Sequence, residues 1–116
     1  MINQDVSWGP GYAKTADAST GPGAWIKPRG LLSTWGYTVT SAGSTSTITT
    51  TGRLEGTLSD STAPTAAEIA TLSTKTGVGY VAVTGKPARQ VRWNTLTLTS
   101  TSSTAPNVTV RLGGTL

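Results

Sequence analysis

The stretch VGYVAVTGKPARQVRWNTLTL, residues 78–98, decides the fold of this chain. Its first half carries Val78, Tyr80, Val81 and Val83, and in its second half Val91 and Trp93 alternate with polar residues. The triplet Gly-Lys-Pro at 85–87 separates the halves, and Gly and Pro are residues that turns favour. The pattern predicts a β-hairpin, in which the two halves are strands folded back on each other.

The apolar residues of the second half change parity along the strand. Val91 and Trp93 are odd-numbered, whereas Leu96 and Leu98 are even-numbered. Side chains alternate between the two faces of a strand, so an unbroken strand would place these pairs on opposite faces. A bulge near residues 94–95 is therefore expected, because one extra residue returns the apolar side chains to a common face.

Composition limits the chemistry of the chain. With 116 residues, 35% of them apolar, it is long enough for one compact domain with a small core. It contains no Cys and no His, which excludes disulfides and thiolate sites and removes the commonest general base and metal ligand. Only five carboxylates are present. We therefore expect no enzyme activity, no cofactor, no metal and no small-molecule substrate.

Charge and hydropathy limit the partners. The net charge of +4 comes from only 12% charged residues, which predicts a mildly basic surface. No recognition-helix pattern or aromatic-interleaved basic run is visible, so direct nucleic-acid binding is not expected. No apolar run has the length of a membrane span, and the start lacks the basic and apolar regions of a secretory signal. We expect synthesis in the cytoplasm and no membrane contact.

Short alternating segments recur through the rest of the chain. Trp35, Tyr37 and Val39 predict one strand, residues 46–58 predict a long one, and 108–112 predict the last. The spacing of Thr65 and Glu68 is that of a capping box and predicts one turn of helix at most.

Six or seven strands without a convincing helix predict an all-β fold, an antiparallel β-sandwich of jelly-roll-like form over residues 34–116. Its core is expected to contain Val39, Ile48, Leu54, Val81, Val91, Trp93, Leu96, Val108 and Val110.

Residues 1–33 form an irregular N-terminal arm rich in Gly, Pro and Trp. Because Gly and Pro suppress regular structure, we expect the arm to make no ladder of its own and to find partners elsewhere. Buried aromatic residues dominate the energy of interfaces. The partner-interface residues that we predict are Trp8, Tyr12, Trp25, Lys27 and Arg29. The alternative is an arm that folds onto its own sandwich and hides the same rings.

Four segments carry a resemblance to a known family: RLEGTLSD at 53–60, GKPARQVRWN at 85–94, TLT at 97–99 and VTVRL at 108–112. Together they resemble the small jelly-roll head decoration (cement) proteins of tailed bacteriophages. The resemblance extends over residues 35–116 and leaves the arm uncovered. The chain departs from the family pattern at Gln90, where an aromatic residue is usual, and in the longer loop at 61–67.

The resemblance implies a structural virion protein that binds the outer surface of the major capsid protein lattice and stabilises it. It also implies contacts with neighbouring copies, in a dimer or trimer, and a final location on the capsid surface. The alternatives are a tail or fibre component and a carbohydrate-binding β-sandwich. A sugar-binding platform would need exposed rings from Trp35, Tyr37 and Trp93, but their alternation predicts core positions.

Two further groups of residues are candidate sites. Glu55 and Asp60 could form a hydrolytic pair, although their positions favour two ordinary surface carboxylates. A basic patch could form from Lys86, Arg89, Arg92 and Arg111, and we expect each of these to be a solvated charge at the surface.

Overall fold

The computed structural model describes residues 5–7, 16–17, 20–28, 31–42, 48–100 and 107–115. Within these residues the chain forms nine strands and one 3₁₀ turn. The strands are β1 (Asp5–Ser7), β2 (Ala16–Asp17), β3 (Gly21–Pro22), β4 (Leu32–Ala42), β5 (Ile48–Thr57), β6 (Ile69–Thr76), β7 (Gly79–Ala88), β8 (Gln90–Ser100) and β9 (Asn107–Thr115). The 3₁₀ turn is Ala66–Glu68, where the Thr65 N–H donates to Glu68 Oε1 over 2.8 Å, so the predicted single turn of helix is confirmed.

The strands form two antiparallel sheets. The first, called here the β4 sheet, has the order β1-β9-β4-β7, and β2 also pairs with β9. The second, the β5 sheet, has the order β3-β8-β5-β6. Buried residues of both sheets form one apolar cluster between them. The predicted antiparallel β-sandwich is confirmed.

The core agrees with the predicted residues at most positions. Its buried members are Leu32, Trp35, Tyr37, Val39, Leu54, Leu72, Val83, Ala88, Val91, Trp93, Leu98, Val108, Val110 and Leu112. Ile48 and Val81 are partly buried and pack against this cluster. The core position predicted for Leu96 is wrong, because 40% of this residue is exposed.

The exposure of Leu96 has a geometric cause. The register with β5 pairs Thr95 and Thr97 with consecutive residues of β5, so Leu96 is the extra residue of a bulge. The bulge returns Leu98 to the core, where it is 6% exposed. The predicted bulge is therefore present, one residue beyond the expected position.

The predicted hairpin over residues 78–98 is wrong. Both strands exist, but β7 pairs with β4 in one sheet and β8 pairs with β5 in the other. The chain crosses between the sheets at Arg89, whose backbone N–H donates to the carbonyl oxygen of Thr57 over 2.8 Å. Strand periodicity predicts both strands correctly, but it does not say which strand is the neighbour.

The triplet at 85–87 explains this crossing. In β4 a single residue, Ser33, stands opposite all three, because Leu32 pairs with Ala88 and Thr34 pairs with Thr84. Gly85 has a φ of 72°, a conformation that other residues rarely adopt. The triplet is therefore a bulge inside β7 rather than a hairpin turn. It bends the end of the strand towards the β5 sheet.

Two aromatic side chains connect these features to the core. The indole Nε1 of Trp35 donates to the carbonyl oxygen of Lys86 over 3.0 Å, which satisfies a polar group of the bulge from inside the sandwich. The ring of Trp93 lies 5.2 Å from that of Tyr37, measured between centroids. Any side chain at Gly52 would collide with the Trp93 ring, so this glycine allows the ring to approach the backbone of β5 closely.

The described parts of the arm pair with the sandwich. The strands β1 and β2 pair with β9, and β3 pairs with β8. Among these residues the arm strands do not pair with one another, and their backbone partners lie on the chain's own sandwich, as in the alternative of an arm that folds onto it. Leu32, within the range assigned to the arm, is fully buried.

Candidate functional site at the Trp25 face

The outer surface of the β5 sheet carries a cluster of charged and polar side chains. Arg53 and Glu55 alternate along β5 with the inward Leu54, and Arg92 and Asn94 alternate along β8 with an inward Trp. Because Glu55 pairs with Arg92 and Arg53 pairs with Asn94 in the β5–β8 register, all four side chains stand on one face. These four residues and Trp25 are called the Trp25 face.

Glu55 is the centre of this face and is only 3% exposed. Arg92 Nε donates to its Oε1 over 2.7 Å, and Arg53 Nε donates to its Oε2 over 2.6 Å. Asn94 Nδ2 adds a third donor to Oε2 at 3.2 Å. Burial alone would raise the pKa of Glu55, but the hydrogen bonds from Arg92, Asn94 and Arg53 outweigh it and hold this pKa below its ordinary value. The carboxylate therefore remains ionised and paired.

The arm holds Trp25 against this cluster. On one side of Trp25, the Gly23 N–H donates to the Trp93 carbonyl oxygen over 2.7 Å. On the other side, Ile26 and Val91 exchange two backbone hydrogen bonds of 2.8 and 3.0 Å. The guanidinium carbon of Arg92 lies 4.5 Å from the Trp25 ring centroid, within the range of a cation–π contact. The ring is thus fixed at the surface, half-buried, by backbone pairing and by stacking.

A groove of about 480 Å³ adjoins Trp25, between the arm segment at 23–27 and the loop at 60–62. Lys27 and Asp60 form an ion pair across it at 3.3 Å, with 58% and 59% of their side chains exposed. Gln90 lies at its base, where its Nε2 donates to the carbonyl oxygens of Ser59 and Ser61 over 2.8 and 2.7 Å. The buried amide therefore fixes the shape of this loop.

The predicted interface residues are only partly within view. Trp25 and Lys27 line the same groove, so the structure brings these two together. Trp8, Tyr12 and Arg29 lie outside the described residues. That Trp25 and Lys27 contact a partner stays a prediction.

Sequence reasoning missed the role of Glu55. The expectation of a surface carboxylate is wrong for this residue, because it is buried and bound by Arg53 and Arg92. Asp60 is exposed, as expected, and pairs with Lys27. The missed indication was an Arg-x-Glu sequence on one strand and an Arg-x-Asn sequence on another. On neighbouring strands, such outward positions can form one hydrogen-bonded group.

The basic residues do not form one patch. Arg92 is bound to Glu55 on the β5 sheet, whereas Arg111 lies on β9 in the β4 sheet. Lys86 and Arg89 are exposed at the end of β7 and the crossing to β8. The described part of the chain contains no group of three His, Cys, Asp or Glu residues that could hold a metal.

The three rings considered as a sugar-binding platform belong to the core. Trp35, Tyr37 and Trp93 are each 1% exposed. The Tyr37 hydroxyl and Ser73 Oγ form a hydrogen bond of 2.9 Å, and burial raises the pKa of Tyr37 although this bond opposes the rise. Their predicted core positions are confirmed.

Fold and site together define a small antiparallel β-sandwich with an arm segment paired along one edge of the β5 sheet and its Trp25 ring against Arg92 on the outer face. No family model, no curated protein and no solved structure matches this chain. Among the residues in view, no helix is long and apolar enough to cross a membrane.

Proposed function

We propose that this chain is a structural virion protein that decorates the head of a tailed bacteriophage. In this proposal it binds the outer surface of the major capsid protein lattice, contacts neighbouring copies of itself and stabilises the shell without catalysis. The resemblance of residues 35–116 to decoration proteins motivates the proposal, and the Trp25 face supplies a surface suited to the binding.

The observation that supports this proposal best is the fixed position of the Trp25 ring. Trp is enriched among the residues that dominate binding energy, and a ring already held in place loses little entropy on association. Backbone pairing on both sides of Trp25 and the Arg92 guanidinium against it provide that order before any partner arrives. Lys27 and Asp60 beside the ring form an ion pair with more than half of each side chain exposed, and they add a polar rim whose charges can meet groups on a shell.

Mass spectrometry of heads and tails separated from purified particles tests the location. We expect the protein in the head fraction, in a copy number comparable with the number of lattice positions. Recovery only with tails would instead identify a tail or fibre component. Absence from both fractions would contradict a virion role.

Binding of purified protein to heads that lack it tests the surface. We expect Trp25→Ala to lower occupancy at least about tenfold, because removal of an interface anchor commonly costs about 2 kcal/mol or more. The matched control is Val78→Ala, which shortens an apolar side chain 53% exposed in the turn before β7. Equal occupancy by both variants would remove Trp25 from the interface.

The groove favours carbohydrate binding as a second candidate function. An aromatic ring beside Asp60, Lys27 and Thr62 combines a stacking surface with groups that hydrogen-bond hydroxyls. A glycan array probed with the wild type and Trp25→Ala tests this candidate. Binding of a glycan by the wild type, lost in the variant, would support it, and silence across the array would contradict it.

A further inference from the structure

We propose that Glu55 is a positioning residue for the Trp25 ring and that it acts on the ring through Arg92. The Glu55 residue is only 3% exposed, so its effect on a partner must be indirect. Its carboxylate fixes the Arg92 guanidinium, and the guanidinium fixes the ring. The inference rests on the proposed function in so far as Trp25 is the ring that binds, whereas the coupling itself is a property of the free chain.

The backbone around Trp25 fixes the position of this residue but not the direction of its ring. Hydrogen bonds join the arm segment to β8 on both sides of Trp25. A side chain at the surface can still choose among staggered rotamers about its own torsions. A further contact is therefore needed to select one direction. The Arg92 guanidinium, whose carbon lies 4.5 Å from the ring centroid, supplies that contact.

Arg92 needs a restraint of its own before it can support a ring. Arginine loses more rotamer freedom on ordering than most residues, so an unrestrained guanidinium would be a weak support. Here the Arg92 Nε–H donates to Glu55 Oε1 over 2.7 Å, and only 19% of the Arg92 side chain is exposed. A guanidinium can donate from its edge while it stacks through its face. The hydrogen bond to Glu55 thus holds Arg92 over the Trp25 ring.

Glu55 is in turn fixed from the side opposite to Arg92. Its second carboxylate oxygen accepts hydrogen bonds from Arg53 Nε over 2.6 Å and from Asn94 Nδ2 over 3.2 Å. The β5–β8 register pairs Glu55 with Arg92 and Arg53 with Asn94, so the sheet backbone keeps these four side chains together. The restraint therefore begins in the sheet and reaches the ring last.

Arg53 provides a matched control within the same cluster. Its Nε lies 2.6 Å from Glu55, and that of Arg92 lies 2.7 Å from the other oxygen, so the two ion pairs are alike. The guanidinium over the Trp25 ring is that of Arg92. Removal of either arginine costs Glu55 one ion pair. A loss of stability should therefore follow both substitutions, whereas a change at the ring should follow only the loss of Arg92.

Fluorine NMR of the full chain labelled with 5-fluorotryptophan tests the proposal without any particle. The Trp25 signal is assigned by its loss in Trp25→Phe, and its shift between H₂O and D₂O measures the exposure of the ring. We expect Glu55→Met, which keeps the side-chain length but lacks the carboxylate, to raise this shift towards that of free fluorotryptophan. Arg53→Met should leave it near the wild-type value. The buried rings of Trp35 and Trp93 report whether each variant is folded.

A double variant tests the route through Arg92. In Arg92→Ala the ring has already lost its support, so the Trp25 signal should be displaced in this variant alone. Addition of Glu55→Met should then displace it no further, because two substitutions that remove the same interaction are not additive.

A reciprocal measurement leaves Glu55 in place and decides the matter even if Glu55→Met does not fold. If Glu55 and Trp25 are coupled through Arg92, the ring must also restrain Arg92. Trp25→Ala should therefore speed exchange of the Arg92 Nε–H with solvent about two- to fivefold, the factor that an exposed cation–π contact supplies. The Arg53 Nε–H should change less.

Four results would each overturn the positioning role of Glu55. They are a Trp25 signal that folded Glu55→Met leaves unchanged, an equal displacement in Arg53→Met, a further displacement in the Arg92→Ala background, and an Arg92 exchange rate that Trp25→Ala does not alter. Because no head is used, these results are distinct from a failure of the decoration proposal.

Discussion

The interior of the sandwich and the Glu55 carboxylate at the centre of the Trp25 face are both buried, but the chemistry around them is opposite. Between the sheets, Trp93 and Tyr37 pack ring against ring among aliphatic side chains. On the outside of the β5 sheet, the buried carboxylate of Glu55 is surrounded by hydrogen-bond donors. The first region depends on apolar area and shape, and the second depends on every charge having its partner.

The largest expected loss of stability comes from a substitution in the apolar interior. Trp93→Ala removes a ring that is 1% exposed and leaves a cavity against Gly52, so it should lower the free energy of unfolding by about 3–5 kcal/mol. Urea titration followed by circular dichroism measures the change. The control on the same strand is Leu96→Ala, with 40% exposure, which should cost below about 1 kcal/mol. Similar losses for both would contradict the assigned bulge.

The next largest loss of stability is expected from a substitution in the Glu55 cluster of the Trp25 face. Glu55→Gln retains the shape of the side chain but loses the charge, and Arg53 and Arg92 lose their ionic acceptor. Hydrogen bonds to charged groups contribute about 1.5–3 kcal/mol, and partial exposure of the arginines reduces this, so we expect a loss of about 1–3 kcal/mol by urea titration. Glu68→Gln, at an exposed capping position that accepts either residue, should change stability little. Equal losses of stability for Glu55→Gln and Glu68→Gln would show that the ion pairs of Glu55 do not stabilise the fold.

The pH dependence sharpens the same contrast. A carboxyl group with a lower pKa in the folded than in the unfolded chain stabilises the fold above the unfolded value, about 4.3 for Glu. That stabilisation decreases as the pH falls through the folded pKa. The stability difference between the wild type and Glu55→Gln should therefore be constant near neutral pH and narrow in acid. Other carboxylates cancel in this difference, so a gap that widens in acid would contradict the lowered pKa of Glu55.

The smallest effect concerns an ion pair in water. Lys27→Ala removes the partner of Asp60, and because both side chains are more than half exposed the unfolding free energy should change by less than about 1 kcal/mol. Thermal unfolding at low and high salt measures it, and the small difference should shrink further in high salt. A loss of stability as large as that of Glu55→Gln would contradict the expectation that the exposed Lys27–Asp60 pair contributes less than the buried Glu55 pairs.

The sequence was sufficient to predict strands and most of the core, because apolar alternation depends on which residues face inward. It was insufficient for pairing, since the same alternation in β7 and β8 fits one hairpin or two sheets. Glu55 was predicted at the surface, and its side chain does point to the outer face of the β5 sheet. It is bound there by Arg92, which comes from a strand 37 residues away and is itself covered by Trp25 of the arm, and no local pattern contains those contacts.

The crossing of the chain between sheets also determines when this protein can fold. Of the connections between consecutive long strands, only the one from β5 to β6 joins neighbours, and the others lead to the opposite sheet. The Thr40–Thr109 hydrogen bond between β4 and β9 closes over 69 residues. Topologies with such distant contacts fold slowly, in milliseconds to seconds, whereas a single hairpin forms in microseconds. On a ribosome, the β5–β6 pair is therefore the first that can form, and β4 can pair with β7 once residue 88 has been synthesised. The β4 sheet is complete only after β9 has followed.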